Sequence, residues 1–298
     1  MTPSSPRGSV LLTGADGFTG AYARAELEAA GYSVIGAVMG AVRSAQEVSL
    51  NITSLPDCID VLQKIRPDYV MHLAGISFVA HAEASDFYRV NVIGTTNLLQ
   101  GLVDAGVQPK RVLIASSANV YGNVAGRLTE AQMPAPVNHY AVSKLAMEHM
   151  VHTWFDRLPI VITRPFNYTG IGQSGQFLVP KIVDHFTRRA AVIELGNLDV
   201  ERDFSDVRFV ARAYRGLLEH DCAGQTVNIC SGRPYSLRML LQTMQTLSGY
   251  DMEVRINPAF VRASEVTTLV GSPAKLQAIL GPMTAIPIEE TLRWMAQA

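Results

Sequence analysis

With 298 residues, 48% of them hydrophobic and 17% charged, the chain has enough apolar surface for a large packed core, in one compact unit or two tightly joined ones. A net charge of −1, with both signs interspersed, argues against a polyanion-binding tract or a polybasic membrane patch, so neither nucleic acid nor membrane is an expected partner. No apolar run reaches the roughly 20 residues that span a bilayer. Met1 to Pro6 lacks the charged and apolar regions of a signal peptide. Cys58, Cys222 and Cys230 read as reduced packing residues of a cytoplasmic protein.

Ser9 to Thr13 is a short β-prone apolar run, followed by Gly14-Ala15-Asp16-Gly17-Phe18-Thr19-Gly20 and then a helical pattern over Tyr22 to Ala30. A strand, a glycine turn and a helix in this order let the backbone pass close to a pyrophosphate seated on the helix N-terminus. The spacing G-x-x-G-x-x-G differs from the commoner G-x-G-x-x-G, but the physics is shared. The second strand, Tyr32 to Val38, lacks at its end the acid that grips the 2′-hydroxyl of NAD. Arg43 instead offers a partner to a 2′-phosphate, which favours NADP over NAD.

Strand and helix then alternate. Val48 to Asn51 reads as a strand, and Thr53-Ser54-Leu55-Pro56 opens a helix with a hydroxyl cap and an early proline. Tyr69 to Leu73 and Arg111 to Ala115 are further strands, ending in Ala74-Gly75 and Ser116-Ser117. This alternation predicts parallel strands joined by helical crossovers, with ligands at the carboxyl ends where Gly14, Gly75 and Ser117 fall. Helical patterns over Phe87 to Val103 and Tyr140 to Phe155 are more apolar than a single buried stripe requires. They predict a homodimer with these helices at its interface.

The second of these helices begins Tyr140-Ala141-Val142-Ser143-Lys144. A tyrosine and a lysine four residues apart share one helix face. An ammonium beside a phenol, whose ordinary pKa is about 10, is expected to favour the tyrosinate and so allow proton exchange near neutral pH. His149 and His152 lie one turn apart with no third ligand cluster, so no metal is expected.

Together these motifs resemble the extended short-chain dehydrogenase/reductases that act on nucleotide sugars. The resemblance covers essentially the whole chain. It rests on Thr13-Gly14-x-x-Gly17-Phe18-x-Gly20, His72-Leu73-Ala74-Gly75, Asn91-Val92-x-Gly94-Thr95, Ser116-Ser117-x-x-Val120-Tyr121-Gly122, Tyr140-x-x-x-Lys144 and Arg164-Pro165-Phe166-Asn167. It implies a doubly wound parallel Rossmann sheet with a smaller, discontinuous α/β substrate-binding domain. The dinucleotide-binding part is expected at residues 1–166 and 205–230, and the sugar-nucleotide part at 167–204 and 231–298.

The resemblance makes Ser117, Tyr140 and Lys144 the catalytic trio. It places the cofactor on Gly14, Gly17, Phe18, Gly20, Arg43, Asn51, Ile52, Leu73, Ala74, Gly75, Asn91, Ala115, Tyr140, Lys144 and Phe166. The 4,6-dehydratases of the family carry an acid where this chain has Asn119, and an amide cannot serve in its place, so water elimination is disfavoured.

After Asn167 the alternation lapses into a polar, glycine-rich loop through Gln176, and a helix is expected over Phe177 to Arg189. A helix ending near Leu218, a return to the main sheet at Thr226 to Gly232, and last helices near Pro273 to Leu280 and Glu289 to Ala296 follow. Gly196-Asn197-Leu198, Arg202-Asp203-Phe204-x-Asp206-Val207-Arg208, Asn228-x-Cys230-Ser231-Gly232 and Arg262-x-x-Glu265-Val266 are most similar to the GDP-4-keto-6-deoxy-D-mannose reductases that form GDP-D-rhamnose. By that resemblance Arg202 and Arg262 hold a diphosphate, where fixed guanidinium forks are suited to the task. Glu265 takes the nucleoside ribose, and Ser117, Asn119, Asn167, Phe177 and Lys181 meet the rest of the substrate.

The implied reaction is NAD(P)H-dependent reduction of the C4 ketone of a GDP-linked 4-keto-6-deoxy sugar, giving GDP-D-rhamnose or GDP-6-deoxy-D-talose. A nucleotide-sugar C4 epimerase with tightly held NAD is the alternative within the class. A non-catalytic nucleotide sensor is the alternative outside it.

Overall fold

The computed structural model describes residues 7–77, 83–260 and 268–298. The apolar run before Gly14 is the first strand, β1 (Ser9–Thr13), and the glycine turn leads into α1 (Phe18–Ala29). That helix starts a turn earlier than its apolar pattern suggests, because Gly17 itself occupies the N-cap. Next come β2 (Ser33–Val38), β3 (Glu47–Ser49), α2 (Leu55–Ile65) and β4 (Tyr69–His72). The β3 strand stops before Asn51 because the Asn51 side chain turns the chain, accepting from the backbone and hydroxyl of Thr53. Ser54 caps α2 by accepting from Asp57 N, as the hydroxyl-proline signature predicts.

The long apolar helix expected from Phe87 is a composite: α3 (Ala84–Phe87), a π-helical turn over Tyr88–Gly94, and α4 (Thr95–Asp104). Then come β5 (Arg111–Ala115), the 3₁₀ turn Ala118–Tyr121, β6 (Gly126–Leu128), α5 (His139–His152) and β7 (Ile160–Pro165). Asn138 caps α5 through Ala141 N at 2.9 Å and so fixes where the Tyr140 turn begins. The remaining elements are β8 (Asn167–Thr169), α6 (Leu178–Thr187), β9 (Val192–Leu195), β10 (Glu201–Asp206), α7 (Val207–Glu219) and β11 (Gln225–Ile229). They end with β12 (Pro234–Ser236), α8 (Leu237–Ser248), β13 (Glu253–Ile256), β14 (Thr268–Gly271), α9 (Ala274–Leu280) and α10 (Ile288–Ala296).

Among the described residues a seven-stranded parallel sheet runs in the order β11-β7-β5-β4-β1-β2-β3. Both faces are covered. Leu12, Leu27, Val210 and Leu217 lie in the core on one side, and Leu62, Leu99, Ile114 and Val151 in the core on the other. This is the doubly wound Rossmann arrangement. The strand order reverses between β1 and β4, which opens a crevice at their carboxyl ends.

A second, mixed sheet in the order β12-β10-β14-β6, with β8 beside β10, and a pair β9–β13 build the other wall. Their apolar faces pack on α6, α8 and α10 through Ile182, Phe186, Leu240 and Leu292. The chain crosses between cores more than once: Leu276 and Leu280 of α9 return to the first core, while α10 lies in the third. Among the described residues no helix is long and apolar enough to cross a membrane.

Candidate active site

Between the two walls lies a cavity of about 1380 Å³, bounded by the carboxyl ends of β1, β4, β5 and β7 and by residues of β9, β10 and α6. Its floor is backbone. Gly14 has a φ of +69°, in the left-handed region that favours glycine. A Cβ on Gly20 would sit 2.1 Å from the Gly14 carbonyl oxygen, so only glycine lets α1 approach β1 this closely. Since α1 has no side-chain N-cap, its first turn faces the cavity as bare backbone with its positive dipole end. The cradle therefore fits the pyrophosphate of a dinucleotide.

A buried relay supports that floor. The Ala74 N–H donates to Thr13 Oγ1 at 3.1 Å, and Thr13 meets His72 Nδ1 at 2.7 Å. His72 Nε2 meets Thr95 Oγ1 at 2.9 Å, and Thr95 donates to the Asn91 carbonyl at 2.7 Å. This order of donors requires a proton on Nε2 and none on Nδ1. Burial, with Lys144 adding to it, lowers the His72 pKa to about 3 and keeps the ring neutral.

Asn91, in the π turn, spends its side chain on the protein. Its oxygen accepts from Ile76 N at 3.0 Å and its nitrogen donates to Ser143 at 3.0 Å, while Ser143 donates to the Tyr140 carbonyl at 2.8 Å. It is absent from the cavity wall, so it acts as a strut under Gly75 where a cofactor contact was expected.

The trio converges. Tyr140 is 7% exposed, and its ring tilts against Phe87 with centroids 6.0 Å apart. Ser117, which opens the 3₁₀ turn Ala118–Tyr121 and accepts from Asn119 N, lines the same cavity and acts on the Tyr140 hydroxyl. Lys144 donates to the Ala115 carbonyl at 2.8 Å, and a Cβ on Gly75 would be 3.3 Å from its Nζ.

Burial pushes the Tyr140 phenol up to about 12, with Ser117 pulling the other way. The expectation that the Lys144 ammonium favours the tyrosinate is thus corrected: desolvation governs the phenol and keeps it protonated. Desolvation also brings Lys144 down to about 8, with Glu148 opposing. At neutral pH the pair is a protonated phenol beside a mostly charged ammonium, which is a proton donor poised to act.

Gly17, Phe18, Asn51, Ile52, Leu73, Ala74, Gly75, Ala115 and Phe166 all line the cavity, as do Asn119, Asn167, Phe177, Lys181 and Arg202. Lys181 donates to the Glu194 carbonyl at 2.9 Å and lies 5.1 Å from the centre of the exposed Phe260 ring. Asn167 donates to the Asp203 carbonyl at 3.2 Å, and Arg202 to the Glu201 carbonyl at 2.8 Å. Arg43 does not line the cavity; it is exposed, and its backbone donates to Glu47. The loop it occupies runs along the surface, which corrects its placement at the cofactor. Arg262 and Glu265 lie outside the described residues. Asp16, Asp86 and Glu194 are the acidic residues among the described lining, and none adjoins Ser117 in sequence.

Two features escaped the sequence reading. Tyr168 stacks on Phe18 with centroids 6.1 Å apart and shares a 2.8 Å hydrogen bond with Thr19, tying β8 to α1 across the cavity. Asp203, fully buried behind Arg202, accepts from Ser231 N and Oγ, Gly232 N and Gly271 N at 2.7–3.2 Å. The only sequence signal for this hub was an acid beside a candidate diphosphate arginine.

Comparison with known proteins agrees with this geometry. A family model described as the NAD dependent epimerase/dehydratase family matches residues 10–230. A GDP-6-deoxy-D-talose 4-dehydrogenase from Aggregatibacter actinomycetemcomitans is 38% identical over 91% of each chain. A GDP-6-deoxy-D-mannose reductase from Pseudomonas aeruginosa is 36% identical over 80% of this chain and 82% of its own. The structure of RMD from Pseudomonas aeruginosa complexed with NADPH superposes with a TM-score of 0.86 at 30% identity, covering 97% of this chain and 98% of that one. The chain belongs to the NAD dependent epimerase/dehydratase family.

Proposed function

We propose that the protein reduces the C4 ketone of a GDP-linked 4-keto-6-deoxy hexose, using NAD(P)H. One observation carries this reading: a protonated Tyr140, sharing the cavity lining with Ser117 and one helical turn from Lys144, faces a nucleotide-sized cleft with an amide, Asn119, in place of a dehydratase acid. The two curated relatives, named for the C4 dehydrogenation and the reduction of GDP-6-deoxy sugars, support it.

The nicotinamide, when bound, supplies the hydride. Gly14, Gly17 and the first turn of α1 would hold the pyrophosphate, Asn51 and Ile52 the adenosine end, and Leu73, Ala74 and Gly75 the path toward Tyr140. Val38 and Met39 stand where a carboxylate would repel a 2′-phosphate, which favours NADPH. On the substrate, Ser117 donates to the C4 oxygen and fixes it beside the Tyr140 hydroxyl. Tyr140 gives up its proton as negative charge develops there, and the Lys144 ammonium stabilises the tyrosinate left behind. Arg202, with Arg262, holds the diphosphate, Glu265 the ribose, and Asn167, Phe177 and Lys181 the remaining nucleotide-sugar surface.

We divide the chain as the motifs suggest, with dinucleotide binding at 1–166 and 205–230 and sugar-nucleotide binding at 167–204 and 231–298. α9 is a part of the second stretch that packs on the first core. We also propose a cytoplasmic homodimer. Ile93 and Val142 are 51% and 38% exposed on the two apolar helices, and Tyr88 bonds His139 across them at the surface. Sedimentation at micromolar concentration should give twice the chain mass of 32.4 kDa, and the monomer mass would remove the dimer.

The activity is tested by following reduced-nicotinamide absorbance with NADPH and enzymatically made GDP-4-keto-6-deoxymannose. Stoichiometric loss is expected. A folded, NADPH-binding protein that leaves the absorbance unchanged would refute the assignment.

A further inference from the structure

One turn beyond Lys144 on α5 lies Glu148, 1% exposed. Arg164 of β7, 6% exposed, grips it: Nε is 3.0 and 3.2 Å from the two carboxylate oxygens and Nη2 is 2.6 Å from one of them. The remaining nitrogen, Nη1, donates to the Tyr121 hydroxyl at 3.0 Å, and Tyr121 donates to Asn228 Oδ1 at 2.8 Å. This network touches the helix bearing Tyr140 and Lys144, the turn begun by Ser117, and the strand that runs on to Phe166 and Asn167.

A buried ion pair is a poor device for stability alone, since apolar residues of similar volume often do as well. Its placement suggests another use. Lys144 is a buried cation whose bonded partner is the neutral Ala115 carbonyl. Among the described residues, the charged or titratable groups that act on it are Glu148 on its own helix and His72 from β4, with Arg164 and His152 acting through Glu148, while Tyr140 lies one turn before it on the helix. His72 stays neutral, so Glu148 is the one negative charge in this set.

A bare carboxylate one turn away would capture the ammonium and draw it off the cleft. Arg164 occupies both oxygens and forestalls that. We propose that the Glu148–Arg164 pair is a positioning device for Lys144: the carboxylate sustains the ammonium's charge, and the guanidinium keeps that ammonium free to face the cleft. Burial lowering the Lys144 pKa, against the pull of Glu148, fits this arrangement. The inference rests on the proposed role of Lys144 in the catalytic trio.

The test titrates Lys144 directly. In the ligand-free full chain, the rate of Lys144 acetylation by acetic anhydride is measured against pH by peptide mass spectrometry, alongside the basic limb of the kcat/KM profile. Glu148→Gln should move the Lys144 midpoint down by about one unit, and Arg164→Gln should move it up, because the freed carboxylate then pairs with the ammonium. Opposite shifts, matched by the kinetic limb, establish the device. Midpoints that stay put or move together in folded variants overturn it, leaving only a structural brace. If either variant fails to fold, Glu148→Asp decides: a midpoint within about half a unit of wild type supports the charge role, and a shift as large as an amide would give refutes it. A wild-type protein that does not turn over the keto sugar would sink the proposed activity, while the labelling would still decide this point.

Discussion

The two walls of the cleft are made of different material. The wall proposed for the cofactor is backbone: a glycine turn, strand ends, and a neutral relay from Thr13 through His72 to Asn91 that keeps them in place. The wall proposed for the substrate is side chains: Arg202, Lys181, Asn167 and Phe177 are presented from short strands and the start of a helix, with Asn167 braced by the Asp203 carbonyl. A wall of backbone recognises what every dinucleotide shares and has no room for added atoms. A wall of side chains recognises what differs between substrates and is altered one residue at a time. Conserving the reaction while changing the sugar nucleotide therefore calls for change on one side of the cleft only.

The sharpest way to break this contrast is to add a single methyl to the backbone wall. Gly20→Ala places a Cβ 2.1 Å from the Gly14 oxygen, and we expect a loss of about 3 kcal/mol or more, read as weakened NADPH binding by titration calorimetry. Unchanged affinity would mean that the turn relaxes and the wall is not rigid. On the other side, Asp203→Asn keeps the shape but replaces one acceptor with a donor facing backbone N–H groups that the carboxylate now serves. A drop of about 2–3 kcal/mol in thermal or denaturant stability should follow.

Arg202→Ala should raise KM about tenfold to a hundredfold with kcat little changed, as expected for a diphosphate contact made equally in ground and transition states. A fall in kcat at constant KM would move Arg202 into the chemistry. The smallest effect is pH. Reduction needs Tyr140 protonated, which holds to about 12, and Lys144 charged, which holds below about 8. The rate of reduction should thus be flat through neutrality and decline as pH rises through about 8. The reverse oxidation, which needs the tyrosinate, should instead gain from rising pH, apart from what Lys144 loses.

Most of the cofactor wall was legible because its signals are local. A β-prone run, a glycine turn, a hydroxyl cap and a Tyr–Lys spacing each act within a few residues, and β1, β2, β4 and β5 fall within a residue of where those signals put them. The substrate wall was less legible because its elements depend on distant partners. The three-residue strand β8 exists because it pairs with β10, some 37 positions on, and nothing in Asn167-Tyr168-Thr169 announces that. The π turn at Tyr88–Gly94 was hidden inside a good helical pattern. The Tyr140 phenol was misjudged for a related reason: spacing reveals a neighbouring charge, whereas the desolvation that governs the phenol comes from the whole fold.

In the proposed reaction Tyr140 is the proton donor in a site otherwise complete for binding. Single-turnover reduction of the keto sugar by Tyr140→Phe, with NADPH affinity measured on the same preparation, tests it most directly. Tyr140→Phe should reduce the ketone about two to four orders of magnitude more slowly, with an affinity within about threefold of wild type. A rate near that of the wild type would contradict it.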